Sequence, residues 1–167
     1  KALEAVIPHF AKLSFEKDDL GRPHLSARYE HHRPKAGWQR EDSFSDGTLR
    51  LIGLFWAVLE TNTLLLLEEP EISLHEAIVR KIPGILHTLL RDKKTRQQII
   101  LSTHSEAMLD NSGIDTRGVI LLESTANGTQ ARLINDTEKQ TIDAGFSIAE
   151  VMFPVIRPKK LEQLGLF

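Results

Sequence analysis

The apolar positions along the chain fall into runs of distinct period, and each run predicts an element. Ala2 to Phe10 reads as the end of a helix. Lys12 to Glu16 and His24 to His32 read as two strands of a hairpin around the turn residues Asp18, Asp19 and Gly21. Leu49 to Glu60 is apolar nearly all round, which predicts a buried helix with Ser45 or Asp46 as its N-cap. After Thr61-Asn62, the continuous run Thr63 to Leu67 predicts a strand covered on both faces. Ser73-Leu74-His75-Glu76 has the capping-box pattern, with Ile72 and Ala77 placed for a hydrophobic staple. Ile78, Ile82, Ile85, Leu86, Leu89 and Leu90 then recur at helical spacing, so a helix from about Leu74 to Leu90 is expected, with Pro83 placed to kink it. Gln98 to Ser102 is a second buried strand. Strand, helix and strand make a right-handed βαβ unit whose strands end at one edge, where such sheets bind ligands. Val119 to Glu123 and Thr129 to Ile134 flank Asn127-Gly128, a strong hairpin signal. Thr141 to Phe153 reads as a helix with Ser147 to Glu150 as a second capping box, stopped by Pro154 and Pro158. The expected class is α/β with buried parallel strands, flanking helices and a C-terminal hairpin.

Composition narrows this picture. At 167 residues and 41% hydrophobic, the chain has the size and apolar content of one domain, residues 1–167, with its own core. Lys plus Arg number 21 against 23 Asp plus Glu, a net charge of −2, so no global basic excess points to nucleic acid. The local exception is Arg22 to Arg40, with five Lys/Arg, three His and only Glu30 as an acid; it reads either as a phosphate-contacting patch or as a charged, solvated strand edge. The absence of cysteine excludes a disulfide framework, a thiolate zinc site and a cysteine nucleophile, and favours a cytoplasmic setting. No run approaches the ~18 to 20 apolar residues that span a bilayer, so no membrane contact is expected. The chain opens on Lys1 and has no Met before Met108, so it is expected to be cut from something longer.

The most specific chemistry lies in Leu64-Leu65-Leu66-Leu67-Glu68-Glu69-Pro70-Glu71, an apolar strand that delivers consecutive carboxylates to the sheet edge. Crowding like charges costs free energy, a cost tolerated where a divalent cation or a polarised water uses the charge. Glu68 and Glu69 therefore read as a Mg²⁺ carboxylate followed by a general base, or else as acids that only terminate a strand before a helix. Leu101-Ser102-Thr103-His104-Ser105 ends the second strand beside them, with His104 able to reach a phosphoryl oxygen or an attacking water. Ser45, with the N–H groups of Asp46, Gly47 and Thr48 at a helix N-terminus, offers a phosphate site.

Taken in order, these segments resemble a known family. Phe44-Ser45-Asp46-Gly47-Thr48 with Arg50 resembles the signature motif of ABC-type ATPases, and Leu64 to Glu69 resembles a Walker B strand with its catalytic glutamate. Ile72-Ser73-Leu74-His75 is similar to the D-loop, and Thr103-His104 to the switch-histidine loop. The wording is closest to bacterial ABC-type ATPases grouped as AAA-family, relatives of RecF, SMC and OLD-type proteins. The resemblance implies a P-loop NTPase-like head that dimerises around ATP and Mg²⁺ in DNA-related processes or defence, DNA being one implied partner. Glu68 would help hold Mg²⁺ through its water shell, Glu69 would polarise the attacking water, and His104 would sense the γ-phosphate. Ser45 and Gly47 would contact the γ-phosphate of a nucleotide on the opposite subunit, with Asp46 and Thr48 shaping that loop.

The chain departs from the family pattern at three places. Glu68 stands where family strands more often carry Asp, and His75 where the D-loop usually has Asp. No Gly-Lys pair occurs anywhere, so the Gly-x-x-x-x-Gly-Lys-Ser/Thr phosphate loop is missing. Gly113 and Gly118 have the glycine spacing without the lysine. The expectation is the C-terminal part of an ATPase head whose Walker A lobe lies upstream, inactive by itself. Two other readings stay open. One is a metal-dependent nuclease using Glu68, Glu69, Glu71 and His104. The other is a nucleic-acid or partner-binding module using Arg22 to Arg40 or the Arg91-to-Arg96 cluster.

Overall fold

In the computed structural model, which describes residues 3–4, 7, 9–30, 37–60, 62–92 and 97–156, the chain gathers into two compact units. One holds Lys1–Ile78 and Ile85–Thr103, the other Val79–Gly84 and His104–Phe167.

The first unit starts from the expected hairpin. β1 (Phe10–Lys17) pairs antiparallel with β2 (Pro23–Tyr29). Asp18 builds the turn by accepting from Leu20 N and Arg22 N at 2.9 and 2.8 Å, and Gly21 supplies the left-handed φ of 76° that closes it. β2 ends at Tyr29, short of the expected His32, and His31 and His32 lie outside the described residues. Of the expected N-terminal helix end, Leu3 and Glu4 are helical, while Ala2 and several neighbours lie outside them. A two-residue strand that the sequence did not announce, β3 (Gln39–Arg40), pairs with Ser26 and Ala27, which makes β2 central and buries both residues completely.

A 3-10 turn (Glu41–Ser43) leads into α1 (Asp46–Glu60), which buries Leu51, Ile52, Leu54, Phe55 and Val58. The helix is not covered all round as expected: Trp56 and Leu59 remain 65% and 56% exposed. β4 (Leu65–Glu68) and β5 (Ile99–Ser102) run parallel in register, Leu66 beside Ile100 and Glu68 beside Ser102. The expectation of cover on both faces also needs correction, because Leu64, Leu66 and Ile100 share one face and are 51%, 67% and 51% exposed.

The single helix expected between the strands is two, α2 (Glu76–Val79) and α3 (Ile82–Asp92). Ser73 does not cap it, since its φ of 65° takes it out of the helical approach. His75 does so instead, its Nδ1 accepting from Ala77 N at 3.2 Å. Pro83 falls in the first turn of α3, where a missing N–H costs nothing, so the chain breaks ahead of it instead of kinking at it.

The second unit holds α4 (Glu106–Leu109), the hairpin β6 (Ile120–Thr125) and β7 (Gly128–Leu133), and helices α5 (Asp136–Asp143) and α6 (Ile148–Ile156). Leu121, Ile148 and Met152 centre its core, packed by Leu109, Ile114, Val119, Ile134 and Ile142 among others. Arg132 fastens the hairpin to α5 by donating to Glu123 (2.7 Å) and to both oxygens of Glu138 (2.7 and 2.8 Å). The expected tail helix is again split, here at Gly145 with φ 111°. The Ser147–Glu150 capping box is formed as read, with Glu150 N donating to Ser147 Oγ and Ser147 N to Glu150 Oε2. α6 runs through Pro154 to Ile156 instead of stopping there, and Pro158 lies outside the described residues. Among the described residues no helix is long and apolar enough to cross a membrane.

Candidate functional site

The carboxylate edge forms where β4 runs out. Glu68 is the last strand residue and is exposed, and Glu69 N still donates to Ser102 O at 3.1 Å, so the ladder holds the backbone up to the second carboxylate. There the chain turns sharply. Glu69 has φ 40° and Ser73 φ 65°, the left-handed region that a residue with a Cβ enters only at a cost. Two hydrogen bonds brace the turn between them, Ile72 N to Glu69 O at 3.2 Å and Leu74 N to Glu71 O at 3.0 Å. Thr103 Oγ1, just beyond β5, donates to Glu71 Oε1, which ties the loop after one strand to the loop after its neighbour. Glu71 Oε2 is buried without a hydrogen-bond partner among the described residues. Nothing in the sequence singled out Glu71 for this bridging task. The nearest signal is that Thr103 and Glu71 each follow a strand end by a few residues.

The Ser45 loop is held from two sides. Ser45 is the N-cap, its Oγ accepting Thr48 N at 3.2 Å and meeting Thr48 Oγ1 at 3.0 Å, while its carbonyl accepts Leu49 N. Asp46 and Gly47 occupy the first two helical positions, whose N–H groups have no acceptor within a helix, the arrangement in which a helix start can receive an anion. Behind the loop, Tyr29 hydrogen-bonds the Thr48 side chain and stands edge-on to buried Phe44 at 6.4 Å; burial raises the pKa of its hydroxyl. The 3-10 turn ahead of the loop is locked to β2 through Glu41, whose carboxylate takes Leu25 N and His24 Nδ1, both at 2.7 Å. His24 Nε2 faces Asp18 at 3.4 Å, and the Glu41 and Asp18 carboxylates raise the His24 pKa. In return Glu41 is lowered, by hydrogen bonds to its own backbone and to His24. Nothing in the sequence, which places His24 at the start of a strand and within a basic run, announces this His24–Glu41 support.

Gly47 comes so close to the carboxylate turn that a Cβ there would stand 2.8 Å from Ser73 O and 3.3 Å from Leu74 Cδ2. The first unit thus brings together Ser45, Asp46, Gly47 and Thr48 with the turn that follows Glu68 and Glu69. His104 stands two residues past Ser102, exposed, at the head of the second unit. Of the basic run, Arg40 donates to Glu16 at 3.2 Å, and Arg33 and Lys35 lie outside the described residues, as do Lys93, Lys94 and Arg96.

Mg²⁺ is commonly held by one or two carboxylates together with phosphate oxygens and several waters, and Glu68 and Glu69 at a strand end fit that demand. Among the described residues no three His, Asp or Glu side chains are grouped to hold a metal ion. The fit to ATP is partial. The chain offers a capped helix start and a carboxylate edge, but its sequence contains no phosphate loop.

Comparison with known proteins bears on these features. Residues 4–110 match a family described as "AAA domain, putative AbiEii toxin, Type IV TA system". No curated protein sequence matches the chain. Among the solved structures that share its fold are two of SMC proteins. One comes from structural biochemistry of ATP-driven dimerization and DNA stimulated activation of SMC ATPases; it is 15% identical with a TM-score of 0.56, and the match covers 82% of this chain and 81% of that one. The other is the Smc head domain with an extended coiled coil bound to the C-terminal domain of ScpA derived from Pyrococcus furiosus. It is 16% identical with a TM-score of 0.56, over 82% of this chain and 33% of that one. At these identities the likeness establishes the fold, the mixed α/β P-loop NTPase type of SMC heads, in agreement with the class read from the sequence.

Proposed function

The chain belongs to the family of AAA domains whose description it matches over residues 4–110, and from that premise we propose that it is the C-terminal part of an ABC-class ATPase head. An upstream lobe of the full-length protein supplies the phosphate loop, and two heads close on two nucleotides. The observation that carries this reading is the joining, in one unit, of a Ser45-capped helix start to the turn that follows Glu68-Glu69 at a parallel strand edge. The open apolar face of Leu64, Leu66 and Ile100 supports a missing lobe, since covering the exposed half of each such side chain is worth roughly 1 kcal/mol.

Bound ATP·Mg²⁺ supplies the reactive phosphoryl group and most of the charge to be stabilised. Glu68 would help hold the Mg²⁺ ion, which would neutralise phosphate charge. Glu69, fixed in an unusual backbone conformation, orients and deprotonates the attacking water, and His104 senses the terminal phosphate. The Asp46 and Gly47 N–H groups, with the Ser45 hydroxyl, receive the terminal phosphate of the partner subunit's nucleotide, while Asp46 and Thr48 shape the loop. The family's description names a toxin of a toxin–antitoxin system, and a similar structure concerns DNA-stimulated activation. Both support a role in defence or DNA handling.

The test is complementation in the full-length protein. Ser45→Arg fills the anion site and should block ATP-driven dimerisation while each monomer still binds ATP. Mixed with a variant lacking the upstream phosphate-loop lysine, it should form heterodimers with one intact composite site and recover partial ATPase activity. Full activity of Ser45→Arg by itself would overturn the shared site.

A further inference from the structure

Tyr29, Thr48 and Ser45 form a chain of three hydroxyls. Tyr29 bonds the Thr48 side chain, and Thr48 Oγ1 meets Ser45 Oγ at 3.0 Å. The phenol is fixed in place. Tyr29 pairs with Phe10 across the β1–β2 ladder, and its ring stands edge-on to Phe10 at 5.9 Å and to Phe44 at 6.4 Å, both of them buried. A phenol is a stronger donor and a weaker acceptor than an aliphatic hydroxyl, so this bond runs from Tyr29 to Thr48 Oγ1. Thr48 then keeps its own proton for its other neighbour, Ser45 Oγ. A serine hydroxyl has two lone pairs and one proton. Thr48 N, at 3.2 Å, and Thr48 Oγ1 take the two lone pairs, which leaves the proton as the one group that Ser45 can offer a ligand.

We infer that Tyr29 is a positioning residue, which through Thr48 holds the Ser45 hydroxyl as an outward donor, selective for an anionic acceptor such as a phosphate oxygen. The inference rests on the function proposed above and fixes the polarity of one of its contacts. Were the Ser45 proton turned inward to Thr48, a lone pair would face the phosphate instead. A donor oriented in advance costs no reorganisation when the charge arrives.

Raman spectroscopy on this chain, without nucleotide, tests the polarity apart from any ATPase activity. Tyr29 is its single tyrosine, so the tyrosine doublet, whose intensity ratio separates a donating phenol from an accepting one, belongs to Tyr29. The wild type should show a donor, and Thr48→Val, which keeps the branched shape without the hydroxyl, should lose that signature. An accepting phenol in the wild type, or an unchanged doublet in Thr48→Val, would overturn the relay. The functional test is a double-mutant cycle in the full-length protein. Tyr29→Phe keeps the ring that packs against Phe10 and Phe44 and removes only the hydroxyl. It should lower kcat/KM for ATP about fivefold, the weight of one ordinary hydrogen bond. In Ser45→Ala, where no proton is left to orient, it should cost nothing further. Unchanged kcat/KM in Tyr29→Phe, or losses that multiply in the double variant as they would for a mere prop of the loop, would refute the inference. Should Ser45→Ala turn over too slowly to follow, Tyr29→Phe paired with Thr48→Val decides, and multiplying losses there refute it equally. Absence of ATP hydrolysis by the wild-type full-length protein would instead refute the function proposed above and leave the Raman result standing.

Discussion

Ser45 caps α1 and, in the proposed site, also meets a phosphate, and two substitutions separate the two tasks. Ser45→Ala removes the acceptor of Thr48 N at 3.2 Å and the hydroxyl contact to Thr48 at 3.0 Å. Loss of such a cap to alanine costs about 1 kcal/mol, whereas glycine at an N-cap costs only a few tenths. For a chain of this size 1 kcal/mol lowers Tm by about 2–4 °C, so the alanine variant should melt measurably earlier and the glycine variant almost with the wild type. Catalysis should not follow that order. If the hydroxyl donates to a phosphate oxygen, both variants lose one charge-assisted hydrogen bond of about 1.5–3 kcal/mol, roughly 10- to 100-fold in kcat/KM. The assays are calorimetric melting and steady-state ATP hydrolysis by the full-length protein. Ser45→Gly turning over within about threefold of wild type, while Ser45→Ala falls in step with its Tm, would show that Ser45 is a cap and nothing more.

Other outcomes follow from the same structure. Glu69→Gln keeps the size and removes the proposed base, so turnover in the full-length protein should fall about 10²-fold or more while ATP binding survives; undiminished turnover moves the base elsewhere. The 167-residue chain by itself, having no phosphate loop, should bind ATP·Mg²⁺ too weakly to titrate calorimetrically, and micromolar affinity would contradict the partial site. His24 is held above its ordinary value by Glu41 and then Asp18, against a smaller opposing effect of burial, so the folded chain keeps this proton to higher pH than the unfolded one. The resulting stability is complete below about pH 6.5 and is lost as pH rises through the folded value. Thermal melts from mildly acid to mildly alkaline pH should show Tm falling on that limb and His24→Asn flattening it.

Much of this fold is legible in the sequence, because period and capping chemistry are local. The hairpin around Asp18 and Gly21, the parallel strands ending at Glu68 and Ser102, the Ser45 cap and the Ser147–Glu150 box all follow from residues within a few positions of each other. What escaped the reading depends on partners far along the chain. Glu41 is an ordinary acid until β2 places His24 Nδ1 and Leu25 N against it, and Glu71 until Thr103 donates to it. Ser73-Leu74-His75-Glu76 has the letters of a capping box, yet Ser73 is drawn into the left-handed region by the turn from Glu69, and His75 inherits the cap.

The largest misreading, that the strands and α1 are covered on all sides, has a physical cause of its own. Hydrophobic pattern records what a side chain favours burying against, not whether that partner lies in the same segment. Leu64, Leu66 and Ile100 line one face of the β4–β5 pair at 51–67% exposure, with Trp56 and Leu59 as bare on α1. Covering half of each such side chain returns roughly 1 kcal/mol apiece, so the five together forgo about 5 kcal/mol. That is comparable to the whole stability of a small domain, ~5–15 kcal/mol. In the head proposed above, a lobe bringing the phosphate loop would recover this free energy by docking on that face.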